Sequence, residues 1–116
     1  MWGIENKKIK GLFFKQTCVI APEQYDVFLD EQMVAYVRCR WGHLTVRPVK
    51  HEIEVKDVYT IPDEEYDALE LYDVIDWSNL IYENRYENKY KSDIPKKDFD
   101  NIADAILEYE NRKKTS

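Results

Sequence analysis

Nine consecutive residues, Met33 to Trp41, keep a strict period of two. Met33, Ala35, Val37, Cys39 and Trp41 fall on one side of an extended chain, and Val34, Tyr36, Arg38 and Arg40 on the other. A helix would scatter both sets around its circumference, so the run predicts a strand with an apolar inner face. Gly42-His43 follows where a two-residue hairpin loop belongs. Leu44, Val46 and Pro48 then return as the next strand. In that register Trp41 opposes Leu44, Arg40 opposes Thr45 and Arg38 opposes Arg47. Pro48 ends that strand or places it at an edge, because it has no N–H for a ladder.

The same period extends to both sides. Leu12, Phe14, Cys18 and Ile20 alternate along a first strand, with Gln16 the one polar intruder, and Ala21-Pro22-Glu23 breaks it. Tyr25, Val27 and Leu29 make a second strand, and Asp30-Glu31-Gln32 is a polar turn of hairpin length. Ile53, Val55 and Tyr59 suggest a fifth. Residues 1–61 therefore read as an antiparallel meander whose outer face gathers Tyr36, Arg38, Arg40 and Arg47.

Composition changes at Pro62. Residues 1–61 carry a net charge of +1, residues 62–110 a net of −10, and the last six restore +3. Thr60-Ile61-Pro62-Asp63-Glu64-Glu65 reads as a helix start: a capping hydroxyl, a first-turn proline, and acids at the positive end of the dipole. Ala68, Leu71, Tyr72 and Ile75 follow at i, i+3, i+4 and i+7 as a buried stripe. Asp63, Glu64, Asp67, Glu70, Asp73 and Asp76 give that helix an acidic exposed side. From Asp63 to Asp76 there are seven carboxylates and no basic residue. Like charges at helical spacing cost a few tenths of a kcal/mol per pair, which lends the run a functional reading as a surface for a cationic partner.

Tyr82, Tyr86 and Tyr90 recur every four residues in a doubled Tyr-Glu-Asn-basic unit, and on a helix they form one drifting stripe suited equally to anchoring a partner or to packing on the protein's own sheet with the hydroxyls at the water's edge. Ser92-Asp93-Ile94-Pro95 starts a last helix, in which Phe99, Ile102, Ala103, Ile106 and Leu107 make a stripe for the sheet or for a homodimer. Arg112, Lys113 and Lys114 suit its negative end. The fold expected is an α+β single domain over residues 1–116: an antiparallel β-meander of four to five strands (1–61), then an acidic half (62–116) of two to three α-helices packed on one face.

A chain of 116 residues with net charge −6 has room for one core. No apolar run approaches the roughly 18 residues that cross a bilayer, and the lysines near the start precede too short an apolar stretch for a secretory signal. A cytoplasmic protein is expected, with no membrane partner. Cys18, Cys39, His43 and His51 have no metal-ligand spacing. Cys39 and His43 offer a thiolate–imidazole pair, yet no orienting third residue or oxyanion loop accompanies them. The sequence presents no catalytic residue, metal site or cofactor motif, so a non-enzymatic role is expected.

Ala21-Pro22-Glu23-Gln24-Tyr25-Asp26-Val27-Phe28, followed by Val34-Ala35-Tyr36-Val37-Arg38-Cys39-Arg40-Trp41-Gly42-His43-Leu44-Thr45-Val46, resembles small uncharacterised proteins of bacterial phages and mobile elements. The likeness covers residues 11–49. It implies action inside a bacterial host, where small acidic proteins of such elements bind and block defence machinery, CRISPR nucleases included. The leading expectation is thus a protein-binding inhibitor or adaptor of anti-defence, anti-CRISPR type. Its acidic helical face would mimic nucleic acid on a nuclease or other defence effector. The alternative is a nucleic-acid-binding accessory protein using Tyr36, Arg38, Arg40 and Arg47; the net charge of −6 weighs against it and favours pairing of those arginines with the protein's own acidic half or with a protein partner.

Overall fold

The computed structural model describes residues 6–17, 23–67, 71–91 and 93–115. Six strands run in chain order through one antiparallel sheet: β1 (Lys7–Ile9), β2 (Leu12–Gln16), β3 (Glu23–Leu29), β4 (Gln32–Arg40), β5 (His43–Glu54) and β6 (Tyr82–Arg85). One helix, α1 (Lys96–Thr115), follows. The expected four to five strands and two to three helices are therefore corrected to six strands and, among the described residues, one long helix. Cys18 and Ile20 of the expected first strand, and Ala68 and Glu70 of the expected acidic helix, lie outside the described residues.

Three hairpins close by pairs of residues at positive φ: Lys10-Gly11 (52° and 85°), Asp30-Glu31 (52° and 68°) and Trp41-Gly42 (55° and 69°). Turns with this backbone match the right-handed twist of the strands that they join. The third turn displaces the expected Gly42-His43 loop by one residue. Arg40 consequently faces His43, Arg38 faces Thr45 and Tyr36 faces Arg47. The shift keeps every face, so Val37, Cys39, Leu44 and Val46 stay inside as expected; Trp41, expected inside, enters the turn and stands outside.

A bulge between Met33 and Ala35 splits the long alternation. Beyond it Ala35, Val37 and Cys39 join Leu12, Phe14, Tyr25, Val27, Leu44 and Val46 on the face that receives α1. Phe99, Ile102, Ala103 and Ile106 of the helix are buried there, at the spacing the sequence predicts. Met33 turns to the opposite face with Phe13, Phe28, Tyr36 and Val49. Val58, Leu71, Val74 and Ile75, from the chain between β5 and β6, cover that face. The sheet is therefore packed on both sides, and not on one as expected.

Pro48 neither ends β5 nor marks its limit. Its carbonyl accepts the Asp76 N–H at 2.9 Å, so its missing N–H, which would point the same way, faces away from β4 and costs that ladder nothing. The same edge takes Ile81 N–H on Val46 and offers Lys50 N–H to Val74. These bonds, and a bridge between Val49 and Ile75, hold residues 74–81 along the sheet edge in place of a helix. Asp63–Glu65 form a single 3-10 turn. Leu71 and Ile75 of the expected stripe are buried all the same, whereas Tyr72 is exposed.

Candidate functional site

Antiparallel pairing sets side chains in rows across the sheet face opposite α1. Lys15, Asp26, Tyr36 and Arg47 form one row; Gln24, Arg38, Thr45 and Glu83 the next; Arg40, His43 and Arg85 the last before the Trp41 turn. The first row is sealed. Lys15 and Asp26 are 2% and 3% exposed, and Tyr66 lies above them, donating its hydroxyl proton to Asp26 with the Lys15 ammonium 5.4 Å from its ring. Burial pushes the Asp26 carboxyl up to about 7, the Tyr66 hydrogen bond opposing.

Tyr36 is buried beneath Tyr72 and Trp77, with ring centroids 5.8 and 5.7 Å away. Arg47 donates to the Trp77 and Asn79 carbonyls at 2.7 and 3.0 Å and lies over the Trp77 ring. Two residues of the expected basic face thus serve the architecture. Arg38 and Arg40 occupy open rows, with Arg85 beside them, and none of the three guanidiniums has a hydrogen bond or ion pair among the described residues. Arg38 Nε is buried without a partner there. The one carboxylate of the two open rows, Glu83, is held at 2.7 Å by His43, a contact that lowers its pKa.

Beyond the last row stands Trp41. It is 63% exposed at φ 55°, and its ring meets the Arg40 guanidinium at 5.4 Å. The turn beneath it is fixed. Gly42 N–H donates to the Lys91 carbonyl at 2.9 Å, and Tyr86 N–H donates to the Gly42 carbonyl at 2.8 Å. A Cβ on Gly42 would meet the Asn88 carbonyl oxygen at 2.6 Å. The chain after β6 thus clamps the turn and holds a bulky indole outward.

The other sequence-derived candidates are dispersed. Glu64 and Asp67 are exposed around the 3-10 turn opened by Asp63, and Asp73 is exposed in a later turn. Asp76 accepts Ser78 N–H, Ser78 Oγ–H and Asn79 Nδ2–H, which lower its pKa. No helical acidic face unites them. The tyrosine stripe is corrected likewise. Tyr82 lies in β6, half-buried toward α1, and Tyr86 donates to the buried Asp98 of that helix. Only Tyr90 is fully on the surface, at 80% exposure.

Cys39 and His43 point to opposite faces. The thiol lies under α1, near the Lys91 and Asp93 carbonyls, and burial with help from Glu23 pushes it up to about 11. The sheet itself separates the two groups, so no thiolate–imidazole pair forms. Among the described residues no cluster of His, Cys, Asp or Glu can hold a metal, and no helix is long and apolar enough to cross a membrane. A cavity of about 660 Å3 opens between β1 and the start of α1, but its Glu23 is engaged by Tyr25 and the Ile94 N–H.

Trp41, His43, Arg85 and Trp77 complete a surface that the sequence reading left in pieces. The signal for Trp41 was the glycine after it, which suits the second position of a turn with positive φ as well as the first. The signal for Arg85 was the alternation of Tyr82, Asn84 and Tyr86 against Glu83 and Arg85. No protein-family model, curated protein or solved structure matches the chain.

Proposed function

We propose that this protein is a non-enzymatic inhibitor or adaptor, and that it docks through the open arginine-bearing end of its sheet. The observation that carries the reading is Trp41. A large residue in the left-handed region is strained by about 1–3 kcal/mol, and such strain concentrates where a function requires it. Tryptophan and arginine are also among the residue types most enriched where a few side chains dominate binding energy. Unpaired guanidiniums in neighbouring rows select an anionic partner. The likeness of residues 11–49 to phage and mobile-element proteins gives the setting: the cytoplasm of a bacterial host, with defence machinery as the target.

The acidic segment is not the docking surface in this reading, because Asp76 is held by Ser78 and Asn79 and Asp73 lies in a separate turn from Glu64 and Asp67. The test is capture from lysate of a bacterium that carries defence systems, with the native chain and an Arg40→Glu/Arg85→Glu variant as baits. Both arginines are exposed, so both baits should melt alike. A stoichiometric partner held by the native bait, released by salt and lost from the variant supports the proposal. Equal capture by both baits refutes it.

A further inference from the structure

The open face has planar rings at both ends and cations between them. Trp41 stands at the turn. Trp77 and Tyr72, themselves partly exposed, lie over Tyr36, five residues back along the chain and roughly 16 Å away at strand spacing. Arg38 and Arg40 lie along the path, and Arg85 is two strands across from Arg40, about 10 Å away. Proteins that hold single strands without reading sequence combine a cationic track with aromatic planes on which bases stack. Guanidinium is suited to both tasks, since it binds phosphate and stacks.

Resting on the docking reading above, we infer that the anionic partner of this face is single-stranded nucleic acid. Trp41 and the Trp77–Tyr72 pair take bases, and Arg38, Arg40 and Arg85 take the phosphates between them. A folded acidic protein would match the arginines but offers no succession of planar faces for two indoles. A duplex keeps its base faces stacked and leaves both rings idle. Glu83 is the one group in these rows that opposes the ligand.

The experiment is a fluorescence-anisotropy titration with labelled oligo-dT and oligo-U of about 16 nucleotides, a duplex of equal length, and polyglutamate as competitor. Both single strands should bind more tightly than the duplex, with a log–log salt slope near −2, or about −0.7 for each of three arginines. Tighter binding of oligo-U assigns RNA, and tighter binding of oligo-dT assigns DNA. Trp41→Ala should weaken binding about tenfold. Arg38→Ala/Arg40→Ala should cut the slope by about 1.4. Glu83→Gln should tighten binding. If polyglutamate binds at the arginines and neither oligonucleotide does, the nucleic-acid assignment falls while anionic docking stands; if nothing binds, both fall. Oligonucleotide binding that ignores the Trp41 and arginine variants also overturns the assignment.

Discussion

Trp41 shares its backbone region with Lys10 and Glu31, and the comparison shows what its side chain lacks. Lys10 reaches Asp104 at 2.7 Å, and Glu31 caps the Asp57 N–H with its carboxylate, so each left-handed residue there does local structural work. Trp41 returns only an exposed cation–π contact of about 0.5–1 kcal/mol. Asparagine tolerates the left-handed region and makes Asn-Gly, a favoured pair for this turn. Trp41→Asn should therefore stabilise the fold by about 1 kcal/mol, raising Tm by about 4 °C, while partner binding is lost. A lower Tm would make the indole a structural residue. Asp26 makes the opposite case, a buried group with no outward role. Its folded pKa, about 7, lies above the ordinary carboxylate value. Its contribution is complete below about pH 4 and is lost as pH rises toward 7, a difference of order 4 kcal/mol at ~1.4 kcal/mol per unit. Asp26→Asn keeps an acceptor for Tyr66 and abolishes that loss. Urea unfolding at pH 4.5 and 8 should show the variant gaining on the native protein at the higher pH; parallel stabilities would mean that Asp26 is already ionised in the fold.

Turns are where elements acquire their register, and two glycines separate backbone strain from packing. Gly11 has φ 85° and open space around a hypothetical Cβ, whereas at Gly42, with φ 69°, that atom would meet Asn88. Gly11→Ala should cost about 1 kcal/mol, the left-handed penalty alone. Gly42→Ala adds a clash with backbone and should cost roughly 2–4 kcal/mol, displacing the chain that clamps Trp41. Equal losses in urea unfolding would show that the clamp yields without resistance. These same turns explain what was legible in the sequence. Strands β2 to β5 and helix α1 announce themselves because one face of each is apolar over several residues. The Trp41 turn was misplaced because a glycine suits either central position, and one residue of slip sends Trp41 inward. The bulge at Val34 leaves no mark on a run that is apolar on both sides. Strand β6 reads as helical because a spacing of four residues also arises when a strand enters a turn. Tyr82 and Tyr86 face α1 in this way, and only the pairing of β6 with β5 reveals it.

At the scale of the molecule, the net charge of −6 conceals a separation of sign. Glu54 and Glu65 lie together near the Asp30-Glu31 turn at one end of β4, and Arg38, Arg40 and Arg85 at the other. Nine residues of β4 set these ends about 25 Å apart. The Debye length is about 10 Å at 0.1 M salt and about 30 Å at 0.01 M. An anion approaching the arginines therefore meets little of the acidic end at physiological salt, and feels it only in dilute buffer. Glu54→Lys/Glu65→Lys, which changes the net charge by four, should leave affinity at 0.15 M salt within about twofold of native and raise the association rate in 0.01 M salt. Arg40→Glu/Arg85→Glu changes it by four in the other sense and should abolish binding at both. Stopped-flow association against the anionic partner at the two salt concentrations distinguishes local contact from net charge. If the glutamate reversals abolish binding, the acidic end is the docking surface after all; if the two reversals have equal and opposite effects at 0.15 M, net charge governs and the arginine face has no special place.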